Sequence, residues 1–340
     1  MNRDRRSFLR CGAAAILAAG ARGRAQAPAT PGRRILYVAG RFSSPRAAAF
    51  EAAVAAIGPS EFNVIILAFA QASYRQGRLR LLYNGVPPRR LSPRLSESLR
   101  QLRGGFRTRK RILLSLGGWG NAATFAAIRS AGVDAFLRQL DDEIAGPLGL
   151  DGLDLDLEPG TKAENTPAGW HAVHDDLGGT LVTVTNAYMR RHPGHWITHA
   201  PISSVAAALY VRDGKVRGIP GSIFQATRAG TGNNIAWLNV QFYEAGDPKP
   251  QPVAAYYRDQ LLQPLLDGRR GTGLARPWEA LALGFEPHYH QNLEACEATL
   301  RAVRRATAAS GPPGGAFVWQ YGQIAHEVKQ WGTGLREAVT

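Results

Sequence analysis

Eight short apolar runs, with longer amphipathic segments between them, constrain this fold more than any other feature. The runs are Ile35–Val38, Val64–Phe69, Ile112–Leu116, Leu153–Leu157, Trp196–Ala200, Ile235–Phe242, Leu281–Phe285 and Ala316–Trp319. Helical patterning occupies Pro45–Ile57, Asp134–Ile144, Trp170–Arg191, Val253–Leu266, Gln291–Ala309 and Ile324–Ala338. Runs this short suit strands, and strand–helix alternation calls for parallel pairing with helical crossovers. Eight such units fit a single-domain α/β fold, a closed (β/α)8 TIM barrel. The competing architecture is an open doubly wound sheet, but no Gly-x-Gly-x-x-Gly opens the first unit as its dinucleotide-binding form would need. No Ser/Gly/Pro-rich linker divides the chain, and Glu286 to Gly315 leaves room for one helix and little more. No α+β insertion between strands seven and eight is therefore expected.

The fourth run carries the chemistry. In Asp151-Gly152-Leu153-Asp154-Leu155-Asp156-Leu157-Glu158, alternation puts Asp154, Asp156 and Glu158 on one face and three leucines on the other. In a barrel the leucines would meet the helices and the acids would point inward. Three carboxylates in a poorly hydrated interior cannot all ionise cheaply, so at least one proton is retained in a coupled titration. A proton held near neutral pH makes a general acid. Glu158 lies at the C-terminal strand end, where barrel enzymes assemble their sites, so it is assigned as the acid, with Asp156 as its proton partner. Asp154, deeper, is expected to act as a reservoir of charge or protons. A solvated edge strand and a divalent-metal site are the competing readings. No His falls on the strand and the spacing is not that of a calcium loop, so no metal and no cofactor are expected.

The N-terminus reads differently. Asp4-Arg5-Arg6-Ser7-Phe8-Leu9-Arg10 precede an Ala-rich stretch from Cys11 to Gly20, the layout of an export signal. The paired arginines followed by Phe-Leu resemble the twin-arginine type, which carries folded proteins across the bacterial inner membrane. Ala25-Gln26-Ala27 fits a cleavage site; Pro28 disfavours a cut there and leaves Ala21 or Ala25 as alternatives. Residues 1–27 are thus expected to be a signal, residues 28–340 the barrel domain, and the destination periplasmic or extracellular. A disordered basic tail is the other reading. Outside the signal only Cys296 remains, so no internal disulfide forms.

The net charge is +15, from 41 Lys+Arg against 26 Asp+Glu. The densest basic cluster, Arg103, Arg107, Arg109, Lys110 and Arg111, lacks aromatic interleaving. It is read as a solvated surface, with no nucleic-acid partner. No apolar run approaches the ~18 residues of a spanning helix, so no membrane association is expected after signal removal, and the chain is expected to be a monomer.

The acidic strand resembles the signature of the family 18 glycoside hydrolases, the chitinase family, Asp-x-x-Asp-x-Asp-x-Glu on strand four of a TIM barrel. Asp151, Asp154, Asp156 and Glu158 match its fixed positions. Ser115-Leu116-Gly117-Gly118 resembles the family's Ser-x-Gly-Gly on strand three, Gln241-Phe242-Tyr243 its Gln-x-Tyr on strand six, and Trp319 its Trp closing strand eight. The resemblance covers residues 33–340. It implies a substrate-assisted mechanism with retention, in which Glu158 protonates the leaving oxygen and the substrate's own acetamido oxygen attacks the anomeric carbon.

By the same resemblance, Asp156 orients the acetamido N–H, Tyr243 steadies that group, Gln241 contacts the sugar and Trp319 floors the cleavage point. Tyr37 and Ser115 would stabilise the deeper Asp154. Phe69 and Trp119 are candidate cleft aromatics, each also readable as packing, while Gly117 and Gly118 would make room for backbone or sugar. The substrate implied is a polymer of β-1,4-linked N-acetylglucosamine (GlcNAc), cut endo-wise in a shallow cleft. Endo-β-N-acetylglucosaminidase action on N-glycans or other GlcNAc polymers is an alternative, with specificity expected in loops Thr161–Trp170 and Glu244–Pro252. A chitinase-like lectin is a second alternative; relatives of that kind usually lose the acid, which Glu158 supplies here.

Overall fold

The computed structural model describes residues 32–40, 47–161, 166–201, 211–212, 215–216, 235–241, 243, 281–287, 292–308 and 313–340. The export-signal segment, the helix expected at Val253–Leu266 and most of the two expected specificity loops lie outside them. In chain order the strands are β1 (Arg33–Ala39), β2 (Val64–Arg75), β3 (Arg78–Tyr83), β4 (Arg111–Gly117), β5 (Gly152–Asp156), β6 (Trp196–His199), β7 (Val211–Arg212), β8 (Lys215–Val216), β9 (Trp237–Val240), β10 (Leu281–Phe285) and β11 (Gly315–Val318). The helices are α1 (Ala47–Ile57), α2 (Pro93–Gly104), α3 (Ala122–Ala131), α4 (Val133–Leu140), α5 (Gly146–Leu148), α6 (Pro167–Arg191), α7 (Leu293–Ala306), α8 (Tyr321–Ile324) and α9 (Val328–Val339).

Strands β1, β2, β4, β5, β6, β9, β10 and β11 pair in parallel in that order, and β1 also pairs with β11. The sheet closes on itself. This is the (β/α)8 barrel expected from the eight apolar runs, and each run overlaps one of the eight strands. Closure excludes the open-sheet alternative, because both edges are consumed.

Alternation sorts the side chains. Leu153 and Leu155, with Leu157 just past β5, join the core between strands and helices, where Leu114, Leu116, Val184 and Leu283 also sit. Inside the barrel, a second cluster of Ile35, Val64, Ile66, Leu113, Trp237 and Ala282 packs below Tyr37 and Phe317. Helix starts follow their caps: the Ser92 hydroxyl accepts from the Arg94 amide, Thr166 from Gly169 and Asn292 from Ala295. Such caps satisfy amides that the first turn leaves unpaired.

Three differences from the sequence reading have local causes. Strand β2 runs on past Phe69 to Arg75 and folds back as β3 in an antiparallel hairpin. Its two-residue turn, Gln76 and Gly77, has positive φ at both positions, the geometry that matches strand twist. The helix expected over Asp134–Ile144 ends at Leu140 and continues as a π turn, Asp141–Ala145. The basic cluster is only partly solvated: Lys110 is 1 % exposed, and its ammonium donates to the carbonyls of Gly58, Ser60 and Thr108 at 2.9, 3.1 and 3.2 Å. Arg103 pairs with Asp151, Arg107 with Glu61, and Arg111 with Asp151. These charges close the end of the barrel where the strands begin, opposite the acidic mouth. Among the described residues no helix is long and apolar enough to cross a membrane.

Candidate active site

Three acids enter the barrel from β5 and its continuation, at increasing height. Asp154, fully buried, accepts four hydrogen bonds from four different strands. Tyr37 Oη (2.9 Å) and Ser115 Oγ (2.8 Å) reach Oδ2, while Thr198 Oγ1 (2.6 Å) and Asn239 Nδ2 (3.0 Å) reach Oδ1. Four donors occupy the acceptor sites of an ionised carboxylate. Burial raises the Asp154 pKa above the usual carboxylate range, and the four bonds offset only part of that rise. Of the two roles expected for this residue, the geometry favours fixed charge. The Tyr37 phenol is pushed well up by burial and by Asp154, so it stays a donor.

Asp156 sits one step higher. Gln241 Nε2 donates to its Oδ1 at 3.1 Å and to the Ala200 carbonyl at 2.9 Å. Its carboxyl is held well above the usual range, first by burial, then by the negative charges of Glu158 and Asp154, with the hydrogen bond it donates to Glu158 adding to the effect. Two hydrogen-bonded acids in this setting share a proton and titrate as a pair. Glu158, 5 % exposed, lies two residues beyond β5 and not on the strand itself.

Above the pair lies an open pocket of about 400 Å³, solvent at its mouth included, lined by Tyr37, Phe69, Trp119, Asp156, Glu158, Ala200, Gln241, Tyr243, Phe317 and Trp319. Its floor is aromatic: the Trp319 ring lies 5.5 Å from Tyr37 and 5.4 Å from Phe69, and Phe317 lies 5.2 Å from Tyr37 and 6.1 Å from Tyr243. The peptide bonds Ala68–Phe69 and Trp319–Gln320 are cis. Trp119 is 42 % exposed at the rim, which is cleft lining and not packing under a loop.

Of the residues singled out from sequence, Tyr37, Phe69, Trp119, Asp156, Glu158, Gln241, Tyr243 and Trp319 converge on this pocket. Asp154 and Ser115 lie beneath it, Ser115 binding Asp154 with no contact to the cavity. Gly118 has φ +82°, and a Cβ there would stand 2.7 Å from the Phe69 ring; at Gly117 it would stand 2.1 Å from the Asp156 carbonyl. The glycines therefore make room for an aromatic ring and for backbone. Asp151 is remote from the pocket: its Oδ2 accepts from the Ile112 amide at 2.9 Å and pairs with Arg103. Sequence reasoning missed Thr198, Asn239 and Phe317. A signal existed for each, since Asn239 and Gln241, Phe317 and Trp319, and Thr198 and Ala200 are pairs separated by two along a strand. Among the described residues no cluster of His, Cys, Asp or Glu is arranged to hold a metal ion.

A buried, proton-sharing acid pair under an aromatic floor is equipped to protonate a leaving oxygen on a sugar ring. The fold is shared with solved structures, family 18 glycoside hydrolases among them. The C-terminal domain of Legionella pneumophila ChiA superposes with a TM-score of 0.56 at 18% identity, covering 91% of this chain and 98% of that one. A fungal endo-β-N-acetylglucosaminidase of glycosyl hydrolase family 18 gives 0.54 at 18%, covering 90% and 98%. A family 18 chitinase from Cycas revoluta, solved with (GlcNAc)3, gives 0.53 at 14%, covering 90% and 99%. No protein-family model and no curated protein sequence matches the chain.

Proposed function

We propose that this chain is a glycoside hydrolase of the family 18 type that cleaves β-1,4 linkages between GlcNAc units with retention, using the substrate's acetamido group as nucleophile. The observation that carries the reading is the hydrogen-bonded Asp156–Glu158 pair lining the aromatic pocket. Glu158 donates its proton to the glycosidic oxygen as that bond breaks. The acetamido oxygen attacks the anomeric carbon from the opposite face, giving an oxazolinium ion. As Glu158 gives up its proton, Asp156 takes the role of anion beside the acetamido N–H, whose positive charge it stabilises. Water then opens the ring, Glu158 accepting its proton, and the product keeps its configuration.

Trp319 offers an apolar plane to the sugar's C–H face, and Tyr243 and Gln241 bring polar groups to the same wall. The solved relative holding (GlcNAc)3 supports this choice of substrate, as do the four motifs in register. The 29-residue connection between Phe285 and Gly315, residues 286–314, is short for a walled groove. It supports endo-type cutting of soluble oligomers. Export by the twin-arginine-like segment belongs to the same proposal, and cell fractionation of the tagged protein tests it.

The deciding experiment is NMR of fresh product from GlcNAc oligomers. The β anomer should appear first, and Glu158→Gln should lower turnover by about 10²–10⁴-fold while oligomer binding persists. Fully deacetylated chitosan should be inert. An inverted product, efficient chitosan cleavage or an active Glu158→Gln protein would overturn the proposal; selective release of N-glycans from a high-mannose glycoprotein would move the substrate to that class.

A further inference from the structure

Strand β9 and the Gln241 that follows it present Trp237, Asn239 and Gln241 to the barrel interior, facing the acids of β5. Each amide meets one acid, Asn239 on Asp154 at 3.0 Å and Gln241 on Asp156 at 3.1 Å. An amide can turn either its oxygen or its nitrogen to a neighbour, and only the nitrogen suits an anion. For Gln241 the choice is made by the Ala200 carbonyl at 2.9 Å, which can only accept. For Asn239 it is made chiefly from below: Trp237 Nε1 lies 2.7 Å from Asn239 Oδ1, whereas the Thr198 hydroxyl, 3.3 Å from Nδ2, can accept or donate and so discriminates less. An indole N–H donates and never accepts, so it must face the amide oxygen, and the nitrogen is left for Asp154.

Trp237 is itself held rigidly. It is 1 % exposed, the edge of Trp196 stands 5.3 Å from its ring, and the Arg33 guanidinium lies 4.6 Å above it. We propose that Trp237 is a positioning residue: its indole N–H locks the Asn239 amide, and this keeps Asp154 free of the proton that Asp156 and Glu158 share. The role in turnover rests on the hydrolase reading above; the lock itself does not.

The groups facing Asp154 are Tyr37 from β1, Ser115 from β4, Thr198 from β6, Asn239 from β9 and Asp156 on its own strand. Among the described residues, the cations that meet the two rings of the lock are Arg33 over Trp237 and Arg111, 4.8 Å over the ring of Trp196. Without the indole N–H, the amide can turn over and set its oxygen against the carboxylate. That contact is repulsive unless Asp154 carries a proton, which then comes from the pair above. The count of protons in the site is unchanged, but Glu158 has lost the one it must deliver.

Trp237→Phe removes the N–H and keeps most of the ring packing. The readout is the ¹³C carboxyl titration of protein labelled at Asp side chains, with Asp154 assigned through Asp154→Asn. In Trp237→Phe the Asp154 titration should move up by about one pH unit, and kcat on GlcNAc oligomers should fall about tenfold with KM unchanged. Trp196→Phe keeps an aromatic ring against Trp237 and leaves its indole N–H on Asn239 Oδ1, and should leave both readings at wild-type values. If Trp237→Phe does not fold, Asn239→Leu removes the same donor from Asp154 and should give the same titration shift. An unmoved Asp154 titration in either variant, or an equal shift in Trp196→Phe, overturns the lock. A wild-type protein that hydrolyses no GlcNAc substrate would instead overturn the hydrolase reading, and the titration would still judge the lock.

Discussion

Asp156→Asn should weaken catalysis and strengthen the fold at once, in a pH-dependent way. The substitution keeps shape: the amide oxygen can still accept from Gln241, now 3.1 Å from Oδ1, and the new NH2 can face Glu158. What disappears is the acid that shares a proton with Glu158 and the anion that would face the acetamido N–H. Loss of a positioned acid–base partner costs about 10²–10⁴-fold in turnover. The stability effect runs the other way. An unfolded Asp titrates near ~3.9, whereas burial and the neighbouring acids hold the folded Asp156 well above that. Below the unfolded value both states are protonated. Between the two values the folded protein keeps a proton that the unfolded chain releases, so wild-type stability falls as pH rises, by up to about 1.4 kcal/mol per pH unit. Asn carries no such penalty. The melting temperature of the variant should therefore gain on wild type with rising pH, by up to about 2 °C per unit in this window. Scanning calorimetry from pH 4 to 9 beside initial rates on GlcNAc oligomers checks both halves. Near-normal turnover, or a melting difference that shrinks as pH rises, would refute the shared-proton account.

Two further outcomes follow from the geometry. Gly118→Ala places a Cβ 2.7 Å from the Phe69 ring at φ +82°; the strained backbone costs about 1 kcal/mol, and displacement of Phe69 from Trp319 should raise KM for oligomers more than it lowers kcat. His199, fully buried and bonded to Thr185 at 2.9 Å, has its pKa lowered to about 3 by burial. The unfolded chain takes up a proton below pH 6.5 that the folded protein refuses, so stability should fall by about 1.4 kcal/mol per pH unit as pH drops through that range. Denaturant midpoints in His199→Gln should lose that component of the acid slope, and an unchanged slope would show that His199 is not its source.

What was legible in the sequence is what local periodicity encodes. Apolar runs of strand length mark the eight barrel strands, and Leu153, Leu155 and Leu157 alternating with Asp154, Asp156 and Glu158 mark which face is acidic. The hairpin β2–β3 left a signal too, in the Gln76-Gly77 turn and the alternating Leu79, Leu81 and Tyr83, but its first strand continues without a break from the run Val64–Phe69 and so does not stand out as a separate element. What only the tertiary structure decided is which groups meet. That Asp154 receives Thr198 and Asn239 as well as Tyr37 and Ser115 depends on the stagger of four strands drawn from distant parts of the chain, and a shift of one residue would turn each of these side chains to the opposite face. The burial of Lys110 under three carbonyls and the service of Asp151 at the far end of the barrel have the same origin. Periodicity is a property of neighbours along the chain, whereas the place of a shared proton depends on every charge and donor that closure brings within reach.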